Sequence, residues 1–154
     1  CLLSRGLGDV YKRQYHGSLE ELAAAVDTLI IAAPGGASTD KAIDAAVLKA
    51  LGPKGILINI GRGTTVDEDA LIAALRDGTI MAAGLDVFEK EPKVPQALID
   101  LPNAVLLPHV GSASHHTRNE MGNLVVRNIQ AWFSGNDVPT PVAECVSAGV
   151  RRHG

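Results

Sequence analysis

Short, continuous apolar runs alternate along this chain with longer stretches whose apolar residues recur every three or four positions. A continuous run ended by a turn residue is the pattern of a buried strand, while the three-to-four spacing is that of a helix with one apolar face. Residues 18–26, "SLEELAAAV", open with Ser18 and Glu21 in capping-box spacing and predict a helix. Residues 27–34, "DTLIIAAP", predict a first strand, buried on both faces and closed by Pro34. A helix over 40–53 ends at Gly52-Pro53, and a second strand follows over 55–61, "GILINIG". Asp67 caps a helix over 67–78 that stops at Gly78. Strands over 79–88 and 103–109 come next, and a long amphipathic helix fills 114–135 up to Gly135.

Strands alternating with helices of this length imply βαβ units, hence an α/β fold with a mostly parallel sheet. In such sheets ligands sit in the crevice outside the carboxyl ends of the strands, so the residues that follow each strand are informative. The first strand delivers Ala33-Pro34-Gly35-Gly36 and the second Gly61-Arg62-Gly63. The third delivers Asp86 and, after a turn, Glu91; the fourth delivers His109-Val110-Gly111-Ser112. A parallel sheet would gather all of these at one edge.

Composition changes the picture at the N-terminus. Residues 4–14, "SRGLGDVYKRQ", look like a translated sequencing-library adapter, so residues 1–14 are expected to be a non-native scar. Removing Arg5, Lys12, Arg13 and Asp9 from the 14 basic and 17 acidic residues leaves 11 and 16, a net charge of −5. Without a basic cluster, such a chain is a poor partner for nucleic acid or an anionic membrane. Cys145 is then the sole cysteine, which suits a reducing, cytoplasmic setting. No apolar run approaches the roughly 20 residues a membrane helix needs.

Each strand-end residue has an ordinary reading when taken singly. Gly61 and Gly63 could serve a tight turn, Arg62 could be a surface charge, and Asp86 could cap or pair locally. His109 could be a satisfied core histidine. Together they describe chemistry. A planar guanidinium grips a carboxylate through two parallel hydrogen bonds, and flanking glycines let ligands approach the backbone. A histidine moves protons near neutral pH, and a neighbouring carboxylate orients its ring. Arginine, histidine and a supporting acid at the ligand edge of a nucleotide-binding sheet point to hydride transfer to a 2-keto acid, with nicotinamide supplying the hydride.

The stretches "INIGRGTTVDEDALIAAL", "AAGLDVFEKEP" and "LLPHVGSASHHTR" carry a resemblance from about Tyr15 to Val142. In them the chain resembles the D-isomer-specific 2-hydroxyacid dehydrogenases, and "PHVGSAS" is most similar to the glyoxylate/hydroxypyruvate reductases of that family. The resemblance implies reduction of a small 2-keto acid, glyoxylate or hydroxypyruvate, to the D-2-hydroxy acid. It implies that Arg62 binds the substrate carboxylate and carbonyl oxygen, that His109 is the general acid or base, and that Glu91 is its partner. Ala33, Pro34, Ile60, Gly61, Arg62, His109 and Gly111 would line the cofactor, with Asp86 near the nicotinamide carboxamide. The cofactor would be NAD(P)H, with NADPH favoured by the subgroup, and the full-length protein a homodimer.

The family's Gly-x-Gly-x-x-Gly loop is absent from this chain. Residues 15–135 therefore read as the second half of a Rossmann-type, doubly wound domain, with 136–154 a tail leading toward a substrate domain that is largely missing. The chain alone is expected to be inactive. D-3-phosphoglycerate dehydrogenase is the alternative within the family, where "GSAS" against an expected "GAST" discriminates weakly. A non-enzymatic, NAD(H)-sensing corepressor-like protein of the same fold is the alternative from another class. Formate dehydrogenases fit worse, having glutamine where Glu91 stands.

Overall fold

The computed structural model describes residues 14–147, so the expected scar lies outside the described residues apart from Gln14. Two compact units divide the described chain, one running through Gly111 and the other starting at Ser112. The first unit holds a single sheet of four strands: β1 (Thr28–Ile31), β2 (Ile56–Asn59), β3 (Ala82–Leu85) and β4 (Ala104–Leu106). Their order in space is β1-β2-β3-β4, and every pairing is parallel. A helix α1 (Leu19–Ala24) precedes β1, and the helices between the strands are α2 (Ala45–Leu51), α3 (Glu68–Arg76) and the short α4 (Gln96–Ile99).

The register lines up Leu29, Leu57, Ala83 and Ala104 across the sheet, then Ile31, Asn59, Leu85 and Leu106. This face meets Ala23, Val47, Leu48, Leu51, Leu71 and Leu75 from α1–α3 in one core. Side chains as fully buried as Leu48 and Leu57 contribute about 1.5–3 kcal/mol each. The opposite face differs from the sequence expectation: β1 is buried on one face only, with Ile30 60% exposed, and Val105 of β4 is 66% exposed. Topology supplies the reason. Parallel crossovers are right-handed, so strands added in one direction receive their helices on one side of the sheet. The order never reverses, and the other face stays uncovered in this unit.

Local chemistry explains the helix ends. Ser18 caps α1 by accepting the Glu21 N–H at 3.1 Å, while the Glu21 carboxylate reaches the Gly17 N–H at 3.0 Å, not that of Ser18. The second helix starts later than the periodicity predicts. Ile43 forms an isolated parallel bridge with Val66, and Asp44 then accepts the N–H groups of Ala46 and Val47 at 2.9 and 3.0 Å. Tertiary pairing at Ile43 thus overrides helical spacing over 40–43. Asp67 caps α3 by accepting from Ala70 at 3.1 Å, and Gly78 takes a left-handed φ of 72° just past its end, both as the sequence predicts. The sequence reading assigned no helix to 96–99 or to 143–147.

The second unit contains α5 (His115–Phe133), capped by Ser114, and α6 (Ala143–Ser147). None of the residues of α5 is buried, although Met121, Val125, Ile129 and Phe133 carry an apolar stripe. Asn128 ties α5 to the following chain through Thr140. Among the described residues, no helix is long and apolar enough to cross a membrane.

Asp44→Ala should lower the unfolding free energy by about 1 kcal/mol, the usual cost of losing an N-cap. A urea titration of the chain would show this as a lower midpoint at unchanged slope.

Candidate functional site

The carboxyl ends of β1 and β2 enclose an open cleft of about 560 Å³, lined by residues 32–36, by Ile60, Gly61 and Arg62, and by Thr64. The bareness of its walls follows from backbone proximity. A Cβ on Gly61 would sit 2.6 Å from the Ala33 carbonyl oxygen, and one on Gly35 would sit 3.1 Å from Cγ of Arg62. Backbone packing demands glycine at 61, while at 35 a Cβ would require the Arg62 stem to give by a few tenths of an ångström. Five of the sequence-predicted residues, Ala33, Pro34, Ile60, Gly61 and Arg62, therefore share this cleft.

Arg62 is exposed and leads into a 3-10 turn, Gly63–Thr65. Its Nη1 donates to the Gly61 carbonyl at 2.7 Å, and its own carbonyl accepts from Asn59 Nδ2 at 3.0 Å and Thr65 Oγ1 at 2.6 Å. Gly63 lies against the Phe88–Glu89 backbone so closely that any Cβ would collide with the Phe88 carbonyl. That contact brings the loop after β2 to the loop after β3.

The second group of predicted residues gathers at the ends of β3 and β4. Asp86 is buried, and its two oxygens accept the N–H groups of Val110 at 2.7 Å and Gly111 at 2.8 Å. His109, just before that clamp, has a left-handed φ of 55°. A non-glycine residue in that region costs on the order of 1–3 kcal/mol and persists only where its surroundings hold it. Glu91 supplies a further hold: its Oε2 lies 2.7 Å from His109 Nδ1, and its Oε1 accepts the Phe88 N–H at 3.0 Å. With Nδ1 engaged, Nε2 is the ring nitrogen left to meet a ligand.

The electrostatics agree with this geometry. The His109 hydrogen bond, then the Phe88 N–H, hold the Glu91 carboxyl below its ordinary range, and the Arg62 charge adds to the same effect. Arg62 is thus near enough to act on the acid–histidine pair, although no hydrogen bond joins them among the described residues. Glu68, at the start of α3, accepts the Glu89 N–H at 2.7 Å; burial pushes its carboxyl up, and that hydrogen bond opposes the rise. No group of three or more metal-ligating side chains occurs among the described residues.

Sequence reasoning missed three supporting residues: Asn59, Thr65 and Glu68. For Asn59 a signal existed, because it stands at an inward position of β2, two residues after Leu57, where the strand period calls for an apolar side chain. Nothing local marks Glu68, whose partner is 21 residues away.

Residues 7–111 match the description "D-isomer specific 2-hydroxyacid dehydrogenase, NAD binding domain", which covers well over half the chain. The chain belongs to this family. Hydroxyphenylpyruvate reductase from Plectranthus scutellarioides is 54% identical over 128 residues, which cover 83% of this chain and 41% of that protein. Glyoxylate/hydroxypyruvate reductase A from Arabidopsis thaliana is 51% identical over 129 residues, 84% of this chain and 41% of that protein. The NADPH-dependent glyoxylate/hydroxypyruvate reductase from Sinorhizobium meliloti, solved with NADP and malonate, superposes with a TM-score of 0.88 at 59% identity. That superposition covers 97% of this chain and 45% of that one. This member of the dehydrogenase family thus spans about two fifths of the length of the curated relatives it matches.

The lowered Glu91 carboxyl fixes a sign. Its folded-state value lies below the unfolded one, so the bond to His109 adds stability at neutral pH. That contribution fades as pH falls through the lowered value. With the His109 and Glu91 side chains 46% and 35% exposed, solvent screens the pair and its contribution is small. Carboxyl carbon NMR should show Glu91 titrating below an ordinary glutamate, and His109→Ala should return it upward. A normal titration in the unmutated chain would mean that the bond does not form in solution.

Proposed function

We propose that the complete gene product containing this sequence reduces small 2-keto acids to D-2-hydroxy acids, with NADPH as the preferred hydride source and glyoxylate or hydroxypyruvate as substrates. The observation that carries this reading is the His109–Glu91 pair at 2.7 Å, on the loops after β3 and β4, with Arg62 on the loop after β2 near enough for its charge to act on Glu91. Support comes from the relatives named above as glyoxylate/hydroxypyruvate reductases, and from the NADP and malonate, a dicarboxylate, in the Sinorhizobium meliloti complex.

The residues present fit the nicotinamide-proximal part of such a cofactor. The cleft offers bare backbone at Gly35, Gly36 and Gly61 beside the apolar surfaces of Ala33, Pro34 and Ile60, and Gly111 follows the histidine loop. When bound, the nicotinamide supplies the hydride that side chains cannot. Arg62 keeps guanidinium N–H groups for the substrate carboxylate and the carbonyl oxygen, orienting the keto acid and drawing charge toward that oxygen. His109, through Nε2, donates the proton that the carbonyl oxygen takes up as it becomes a hydroxyl. Glu91 orients the ring by holding Nδ1, which leaves Nε2 to meet the substrate. Cys145, exposed and the one cysteine among the described residues, supports a reducing, cytoplasmic setting, and the apolar stripe of α5 supports a homodimer, which sedimentation of the complete protein would test.

His109→Gln in the complete protein should lower kcat by roughly 10²–10⁴-fold, the scale of a lost general acid. Stopped-flow oxidation of NADPH by glyoxylate measures this, and an unchanged rate would remove His109 from the chemistry. Arg62→Lys should raise the keto-acid KM and lower kcat together while leaving NADPH affinity nearly unchanged, because lysine keeps the charge without the planar fork. A lysine variant as active as the parent would return Arg62 to a surface role.

A further inference from the structure

We propose that Asn59 and Thr65 form a buried amide–hydroxyl clamp that sets the direction of Arg62, making them positioning residues for keto-acid binding. The inference rests on the assignment of Arg62 made above.

Both side chains are only 1% exposed. Burying an amide and a hydroxyl is costly unless each is satisfied, and a position in phase with Leu57 would pack more simply with an aliphatic residue. All of the bonding that offsets this cost is spent on the few residues around Arg62. Asn59 Oδ1 accepts the Gly61 N–H at 3.0 Å, while Nδ2 donates to the Arg62 carbonyl at 3.0 Å and to Thr65 Oγ1 at 3.4 Å. The Thr65 hydroxyl passes its proton contact on to the same carbonyl at 2.6 Å, and the Thr65 N–H adds a third donor at 3.2 Å.

Three donors on one carbonyl fix the Arg62–Gly63 peptide, and the Gly61 amide held by the same Asn59 side chain fixes the Ile60–Gly61 peptide just upstream. The Arg62 backbone is extended, at φ −141° and ψ 144°. The stem runs close against Gly35, where an added Cβ would come within 3.1 Å of its Cγ. A guanidinium that must meet a carboxylate through two parallel bonds tolerates little angular error, and a long side chain is accurate only when its root is. The buried pair therefore acts through the arginine and touches no ligand itself.

A double-mutant cycle in the complete gene product separates this role from plain stabilisation. Thr65→Val is nearly isosteric and deletes the hydroxyl. In the presence of Arg62 it should lower kcat/KM for glyoxylate by about 3- to 10-fold, with KM raised and the NADPH dissociation constant unchanged. Thr65→Ser should restore most of the loss. In an Arg62→Ala background, Thr65→Val should cost nothing further, because the clamp has no guanidinium left to direct. Equal losses in both backgrounds, or a matching loss of NADPH affinity, would overturn the proposal and leave the pair a general support of the fold. Should Thr65→Val fail to fold, Thr65→Ala, which also deletes the hydroxyl, takes its place in the same cycle with the same expected outcomes. An Arg62→Ala protein that reduced glyoxylate as fast as the parent would instead overturn the assignment of Arg62 itself.

Discussion

Gly63 lies so close to the Phe88 carbonyl that no side chain fits between them, and the arrangement of the site depends on that approach. β2 and β3 are neighbours in the sheet, but their ladder ends at Asn59 and Leu85. The Asp86 N–H still donates to the Asn59 carbonyl at 3.0 Å, and past that bond no strand pairing joins the two loops among the described residues. Backbone packed against backbone at Gly63 continues the association. Arg62 on one loop thereby comes near enough to Glu91 on the other for its charge to favour the ionised acid.

Buried polar groups hold the rest of the edge. Asn59 and Thr65 secure the Arg62 peptide, Asp86 secures the amides of Val110 and Gly111, and Glu68 secures the amide of Glu89. In each case a side chain beneath the loop accepts from or donates to backbone, so the loops that carry the exposed residues are fixed from below. His109 shows what such support permits. Its left-handed backbone is unfavourable in isolation, and it is retained between a carboxylate on the ring and a carboxylate on the next two amides. Low dielectric beneath the loops strengthens these bonds and makes any unpaired group there costly.

The sheet shows the same division between local and distant causes. Its four parallel strands were legible because each apolar run is bounded by proline, glycine or a capping acid. Their burial was not, because the expectation of two covered faces assumes helices on both sides. The strand order β1-β2-β3-β4 never reverses, so right-handed crossovers leave Ile30 and Val105 uncovered in this unit. The start of α2 shifted for a related reason. Ile43 pairs with Val66 across the fold, and helical spacing in 40–43 carries no record of that partner.

By itself, the sequence determined the order and kind of the main elements, the parallel sheet and the residue types delivered to its carboxyl edge. These follow from periodicity, caps and turn residues, which act within a few positions of one another. The catalytic candidates Arg62, Glu91 and His109 were visible for the same reason, since each follows a recognisable strand end. Only the tertiary structure decided how they are held. The left-handed turn at His109, the buried Asn59–Thr65 pair and the reach of Glu68 to Glu89 depend on which backbone groups come within hydrogen-bonding distance. Those distances are set by packing between segments far apart in the chain, where spacing along the sequence carries no information.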